Sequence, residues 1–117
     1  MLIEALRVIA GVSRVEAARV TLGPAPAATA ARRFGLARAS RSLDERARLR
    51  RAISWIDRLM PGGPNCYRRV LLEMALDSGA AHEPLMMGFR SSGGLGSGHA
   101  WLASRPPAET YDAVVSA

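Results

Sequence analysis

The chain contains a single cysteine, Cys66, at a position where a helix is predicted to begin. Asn65 before it is a favourable N-cap, and apolar residues after it repeat at helical spacing until Gly79, a plausible C-terminal stop. The thiolate is the reactive form of cysteine, and the positive end of a helix dipole stabilises negative charge. Cys66 is therefore a candidate nucleophile. The alternative is a buried cysteine that acts only as a small apolar side chain.

A histidine follows a glycine- and serine-rich stretch in "GLGSGHAWLA", residues 94–103. The pattern predicts a loop over 91–98 and a strand from His99, with His99 and Trp101 on one face. An imidazole within reach of a thiol can act as its general base. His99 is the candidate base, with a structural role as the alternative, whereas His82 is expected in an exposed connection.

An acid that would orient this histidine follows from a predicted hairpin. If the turn 104–108 joins the strands on either side of it and Ala103 pairs with Ala108, then Asp112 lies opposite His99 on the same face. A slip of one residue would turn Asp112 away. This register predicts a Cys-His-Asp triad in which Asp112 holds the imidazole in the required tautomer and orientation.

Two further helices are predicted before Cys66. The first spans residues 2–20, and the Pro- and Ala-rich segment 22–33 is expected to be a connector that is extended at the prolines and can be helical after them. "SLDE", residues 42–45, is a capping box that opens the second helix, and "PGGP", residues 61–64, ends it. Residues at helical spacing in the first helix include Leu2, Leu6, Ile9 and Glu16. Those expected on the exposed surface of the second are Arg46, Arg48, Arg50, Arg51, Asp57 and Arg58.

Three strands are predicted after the Cys66 helix, over 83–90, 99–103 and 109–116. Because the helices come first and the strands afterwards, the fold class is α+β, with N-terminal helices followed by a small antiparallel sheet. The chain divides into a helix and connector over 1–41 and a core over 42–117.

Composition narrows the class of protein. The 117 residues suit one domain, and the net charge of +6 comes from 16 arginines, with no lysine, against ten acidic residues. One cysteine excludes an internal disulfide and indicates a reducing, cytoplasmic setting. No cofactor and no membrane span are expected. The Arg-rich helix lacks the interleaved aromatic residues of a nucleic-acid surface, so no specific nucleic-acid partner is expected.

The run "NCYRRVLLEMALDSGAAHEPLMMGFRSSGGLGSGHAWLA", followed by "YDAVVS", resembles the transglutaminase-like, papain-related fold. It most closely resembles the leader-peptidase branch of lasso-peptide biosynthesis, over roughly residues 42–115. Relatives tend to be more apolar where this chain has Arg68 and Arg69, and here little chain remains after the acid to complete the sheet. The matching motifs are Cys66, Gly88-Phe89-Arg90, His99-Ala100-Trp101 and Asp112.

The resemblance implies a cysteine peptidase with Cys66 as nucleophile, His99 as general base and then acid, and Asp112 as orienter. Backbone N–H groups at the start of the Cys66 helix would stabilise the oxyanion. The implied substrate is a ribosomally made precursor peptide, cleaved between leader and core. A separate leader-recognition protein and an ATP-dependent macrocyclase are the implied partners. The alternative function is an inactive binding or scaffold module that contacts its partner through the Arg-rich helix.

Overall fold

The computed structural model describes residues 2–92, 95–108 and 110–117. Over these residues the helices precede a three-stranded antiparallel sheet, which confirms the predicted α+β class. The helices are α1 (Leu2–Leu22), α2 (Pro24–Leu36), α3 (Leu43–Leu59), α4 (Cys66–Leu76) and α5 (Ser78–Ala81). The strands are β1 (Leu85–Ser92), β2 (Leu95–Leu102) and β3 (Ala113–Ser116).

The predicted first helix is present as α1, but it buries a different face. Val8 and Val15 are buried, whereas Leu6 and Ile9 are 57% and 54% exposed. The buried face also carries Gly11, where an added Cβ would lie 3.5 Å from Leu72 of α4. Helix α1 therefore packs on α4 through the face that carries Val8, Gly11 and Val15.

The predicted connector over 22–33 is wrong at its prolines, which lie in the first turn of helix α2 rather than in extended chain, whereas the helix predicted after them is present. Proline is compatible with the first turn of a helix, where its missing N–H would have no intrahelical partner, and the alanines that follow favour the helix interior. Ala27, Ala28 and Ala31 are buried in the core that α1, α3 and α4 share. The approach to α4 is close at Gly35, where a Cβ would lie 1.7 Å from the Met74 carbonyl oxygen.

Helix α3 begins with the predicted capping box, which is confirmed. The Ser42 hydroxyl accepts a hydrogen bond from the Glu45 backbone N–H at 3.2 Å, and the Glu45 carboxylate accepts one from the Ser42 N–H at 3.1 Å. The predicted solvent-exposed face is wrong at two positions. Asp57 is fully buried, and Arg46 lies against Glu73 of α4, with its Nε 2.7 Å from the carboxylate. The helical pattern shows which residues share a face but not which charged residues pair.

The strands have the order β2-β1-β3, with both pairs antiparallel. The predicted β2–β3 hairpin is therefore wrong, because β3 pairs with the far edge of β1, from Met86 with Ser116 to Phe89 with Ala113. Much of the predicted loop 91–98 belongs to the strands of the β1–β2 hairpin, which extends from Leu85 with Leu102 to Ser92 with Leu95. Residues 93 and 94 lie outside the described part. After β2 the chain crosses over and adds β3 beyond β1, where Leu85 and Ala117 exchange backbone N–H···O bonds of 2.9 and 2.8 Å.

Glu83 connects the sheet to α3. Its carboxylate accepts a hydrogen bond from the Ser104 backbone N–H at 2.9 Å and forms an ion pair with Arg46. Burial would raise the pKa of Glu83, but the hydrogen bonds from Ser104 and Arg46 outweigh it, so the pKa lies below its ordinary value. The carboxylate therefore stabilises the fold in its ionised form.

We expect Glu83→Gln to lower the free energy of unfolding at neutral pH by about 1 kcal/mol. A depressed carboxyl pKa contributes stability above the unfolded value of about 4.3, and that contribution is lost as the pH falls through the lower folded value. The difference between parent and variant should therefore shrink below about pH 4. Urea unfolding between pH 3 and pH 7 measures it, and a difference independent of pH would contradict the assignment.

Candidate active site

Cys66 is the first residue of α4, as predicted. The Asn65 side chain caps the helix by accepting a hydrogen bond from the Arg68 backbone N–H at 3.0 Å. The Cys66 thiol is free, half-buried and packed against the hydrophobic core. The neighbouring Tyr67 is also partly buried, and burial raises the pKa of its phenol, so the ring is neutral at physiological pH.

A buried ion pair fixes the turn before Cys66. The Arg68 Nε donates to the Asp57 carboxylate at 2.6 Å, and the side chains are 3% and 0% exposed. The same arginine donates to the Gly63 carbonyl at 2.9 Å, and the other Asp57 oxygen accepts from the Asn65 N–H at 3.0 Å. These bonds join the end of α3, the turn and the start of α4, so they determine where the thiol lies.

Cys66 and His99 line one cavity of about 290 Å³ between α3, α4 and β2. The structure therefore brings the predicted nucleophile and the predicted base to the same cavity. Within residues 2–92, 95–108 and 110–117, no hydrogen bond joins the Cys66 thiol to the His99 ring. In proteins without bound ligand, catalytic hydrogen bonds are often long and tighten only when substrate binds.

The cavity is lined by β2, which is an edge strand of the sheet over the described residues. Its lining includes the four consecutive β2 residues from His99 to Leu102, whose side chains point alternately to opposite faces. The Ala103 N–H donates to the Pro84 carbonyl at 3.1 Å, so by the antiparallel alternation the Ala100 N–H and carbonyl point away from β1. An extended peptide can pair with such an edge.

Aromatic rings orient His99 on one face of the sheet. Its ring stacks with Trp101, as their predicted shared face allows, and with Tyr111, at centroid distances of 5.9 and 6.3 Å. Trp101 and Tyr111 stack on each other at 5.5 Å. The strand partner of His99 is Gly88, where a Cβ would lie 2.6 Å from the Tyr111 ring and 2.8 Å from the Trp101 ring. Glycine at position 88 thus makes room for this stack.

Asp112 does not occupy the predicted place opposite His99, because β1 lies between β2 and β3. Its carboxylate accepts a hydrogen bond from the Ser91 N–H at 2.8 Å, and its own N–H donates to the Phe89 carbonyl at 2.9 Å. No hydrogen bond joins it to the imidazole among the described residues. Asp112 instead fixes the chain beside Tyr111, whose contact with the histidine the sequence pattern did not indicate.

Sequence reasoning also missed the charge of the cavity. Arg50, Arg69 and Arg105 line it together with one acidic residue among those described, Glu73. Partial burial lowers the pKa of the Arg105 guanidinium, and the nearby Arg50 lowers it further. Their separation in the sequence concealed this cluster, because the three arginines come from α3, from α4 and from the turn after β2.

We expect Arg68→Met to lower the free energy of unfolding by about 3–5 kcal/mol, because it leaves the Asp57 charge buried without its partner. The double variant Asp57→Asn, Arg68→Met removes both charges and keeps an oxygen that accepts the Asn65 N–H bond. It should be more stable than the single variant. Urea unfolding of the four combinations measures the coupling, and a double variant as unstable as the sum of the singles would contradict it.

The chain matches no protein-family model, no curated protein and no solved structure. Among the described residues, no helix combines the length and apolar character needed to cross a membrane. The same residues contain no group of three or more histidine, cysteine, aspartate or glutamate side chains placed to hold a metal ion.

Proposed function

We propose that the protein is a cysteine peptidase with a transglutaminase-like core that removes the leader from a precursor peptide during lasso-peptide maturation. The observation that carries the proposal is the shared cavity of Cys66 and His99, with the cysteine at a capped helix start and the histidine on the adjacent edge strand. A thiol and an imidazole at one cavity are the groups that nucleophilic peptide cleavage requires. The resemblance of the sequence motifs specifies the leader-peptidase branch.

The geometry supports a two-step acyl transfer. The substrate pairs as an extended strand with the edge of β2, and the Cys66 sulfur attacks the scissile carbonyl carbon while His99 accepts the thiol proton. Backbone N–H groups at the start of α4 stabilise the oxyanion. His99 then protonates the leaving amine, and a water deprotonated by His99 hydrolyses the thioester.

The third residue acts in a different way from the hydrogen-bonded acid of a triad. The Trp101 and Tyr111 rings orient the imidazole, and Asp112 positions Tyr111 through its bond to the Ser91 N–H. The protein works in the cytoplasm, with a separate leader-recognition protein that presents the substrate and an ATP-dependent macrocyclase that uses the released core.

A scaffold without turnover is the second candidate. The observation that favours it is the absence, among the described residues, of hydrogen bonds from the His99 ring to Cys66 and to Asp112. In that case the Arg-rich helix α3 would be its contact surface.

We expect Cys66→Ala to abolish cleavage of a precursor presented by its leader-recognition protein. His99→Ala should lower the rate nearly as much, at least about a thousandfold, because nucleophile and base act as one unit. His82→Ala is the matched control, since His82 is exposed at the end of α5 and should leave the rate unchanged. Cleavage is followed by mass spectrometry. Parental cleavage by Cys66→Ala would exclude the peptidase and favour the scaffold.

Substitutions at Tyr111 and Asp112 distinguish two ways of orienting the His99 imidazole: stacking on aromatic rings, or a hydrogen bond to Asp112 in a triad. Tyr111→Ala should lower kcat about tenfold with little change in KM, whereas Tyr111→Phe keeps the stacked ring and should restore kcat. Asp112→Asn keeps an oxygen for the Ser91 N–H and should stay within about threefold of the parent. In a triad it would cost on the order of 10⁴ in kcat. A loss of that size would contradict the positioning role.

A further inference from the structure

We propose that Arg50, Arg69 and Arg105 form a carboxylate-binding subsite in the Cys66 cavity, and that the protein selects peptides with a carboxylate close to the scissile bond. This inference rests on the proposed function for its substrate, a peptide. The subsite itself is a property of the cavity, and it can be measured without turnover.

The positive charge of the cavity exceeds its negative charge. Glu73, the acidic side chain among the described lining residues, lies 2.7 Å from Arg46 and 3.7 Å from Arg50. Both partners come from α3, and Arg46 is shared with Asp77 and Glu83. Arg69 lies 3.5 Å from Asp57, but that carboxylate already forms the buried pair with Arg68. The lining arginines thus have capacity for a further anion.

Arg105 is the clearest member of the subsite. No ion pair of its guanidinium occurs among the described residues, and its backbone N–H donates to the Leu102 carbonyl at 2.9 Å. The bond from Ser104 to Glu83 holds the same turn. Partial burial lowers the pKa of this guanidinium, repulsion from Arg50 and Arg46 lowers it further, and Glu73 and Glu83 offset this only in part. A bound anion would offset both effects.

A carboxylate suits this site in size and shape. The cavity of about 290 Å³ is large enough for a side chain, and guanidinium groups bind carboxylates with two parallel hydrogen bonds. Because the arginines and Cys66 line the same cavity, the carboxylate would lie within one or two residues of the attacked carbonyl. It is supplied either by an acidic side chain or by the C-terminus of the peptide.

The single cysteine allows a direct test with two small alkylating agents of similar size. The ratio of the iodoacetate rate to the iodoacetamide rate at Cys66 should exceed the ratio for a free cysteine thiol. Arg105→Gln and Arg69→Gln should each lower it about threefold, and added salt should lower it in the parent. Arg48→Gln is the matched control, because Arg48 is exposed on α3 outside the cavity. A rate ratio at Cys66 that equals the ratio for a free cysteine thiol, and that no variant changes, would overturn the proposed subsite.

Protection of Cys66 from iodoacetamide identifies the source of the carboxylate. Acetylated hexapeptides with one Glu are compared with their Gln counterparts, each with a free or an amidated C-terminus. If protection is lost on Glu→Gln, the bound carboxylate comes from the acidic side chain. If protection is lost on amidation, it comes from the C-terminus of the peptide. Equal protection by all four kinds of peptide would overturn the selectivity. Charge-selective alkylation without precursor cleavage would support the carboxylate subsite and contradict the peptidase function. Precursor cleavage without charge-selective alkylation would support the peptidase function and contradict the subsite.

Discussion

The ion pair between Asp57 and Arg68 is the interaction on which the position of Cys66 depends. A buried charge without a partner is strongly unfavourable, so the two residues must meet once α3 and α4 pack. The pair also fixes the turn between α3 and α4, because Arg68 bonds to the Gly63 carbonyl and Asp57 accepts from the Asn65 N–H. Arg68 also lies 3.4 Å from Glu16, which brings α1 to the same point. Arg68 is therefore part of the scaffold that positions the start of α4.

The sheet contributes to the site through its edge. Eight residues of β1 pair with eight of β2, and β3 pairs with the other side of β1, so among the described residues β2 is an edge strand beside the start of α4. Because Gly88 has no side chain, the Trp101 and Tyr111 rings have room to stack with His99 on one face of the sheet. Cys66 of α4 and His99 of β2 line the same cavity. The strand order therefore determines that His99 lies on an edge strand that lines the Cys66 cavity.

Local signals in the sequence predicted the elements that depend on a few neighbouring residues. The capping box at Ser42, the helix start at Cys66 and the α+β class are of this kind, and all three are confirmed. The wrong predictions concern relations between distant segments. Tertiary packing determines the strand that pairs with β3, the helix over Pro24–Leu36 and the burial of Asp57. The periodicity of a single segment contains no information about such packing. The register that places Asp112 opposite His99 is wrong because β1 lies between β2 and β3, and the role of Asp112 itself stays a prediction.

Arginine supplies all the side-chain cations other than histidine, and the fold uses them in two ways. Some hold elements together: Arg32 donates to the carbonyls of Ala81, Glu83 and Ala117, and Arg41 to that of Leu76. Those at the cavity lie where acids are few. A guanidinium can satisfy carbonyls and carboxylates alike, so the same residue type serves both purposes. At the cavity Glu73 and Asp57 compensate Arg50 and Arg69 in part, whereas Arg105 forms no ion pair among the described residues.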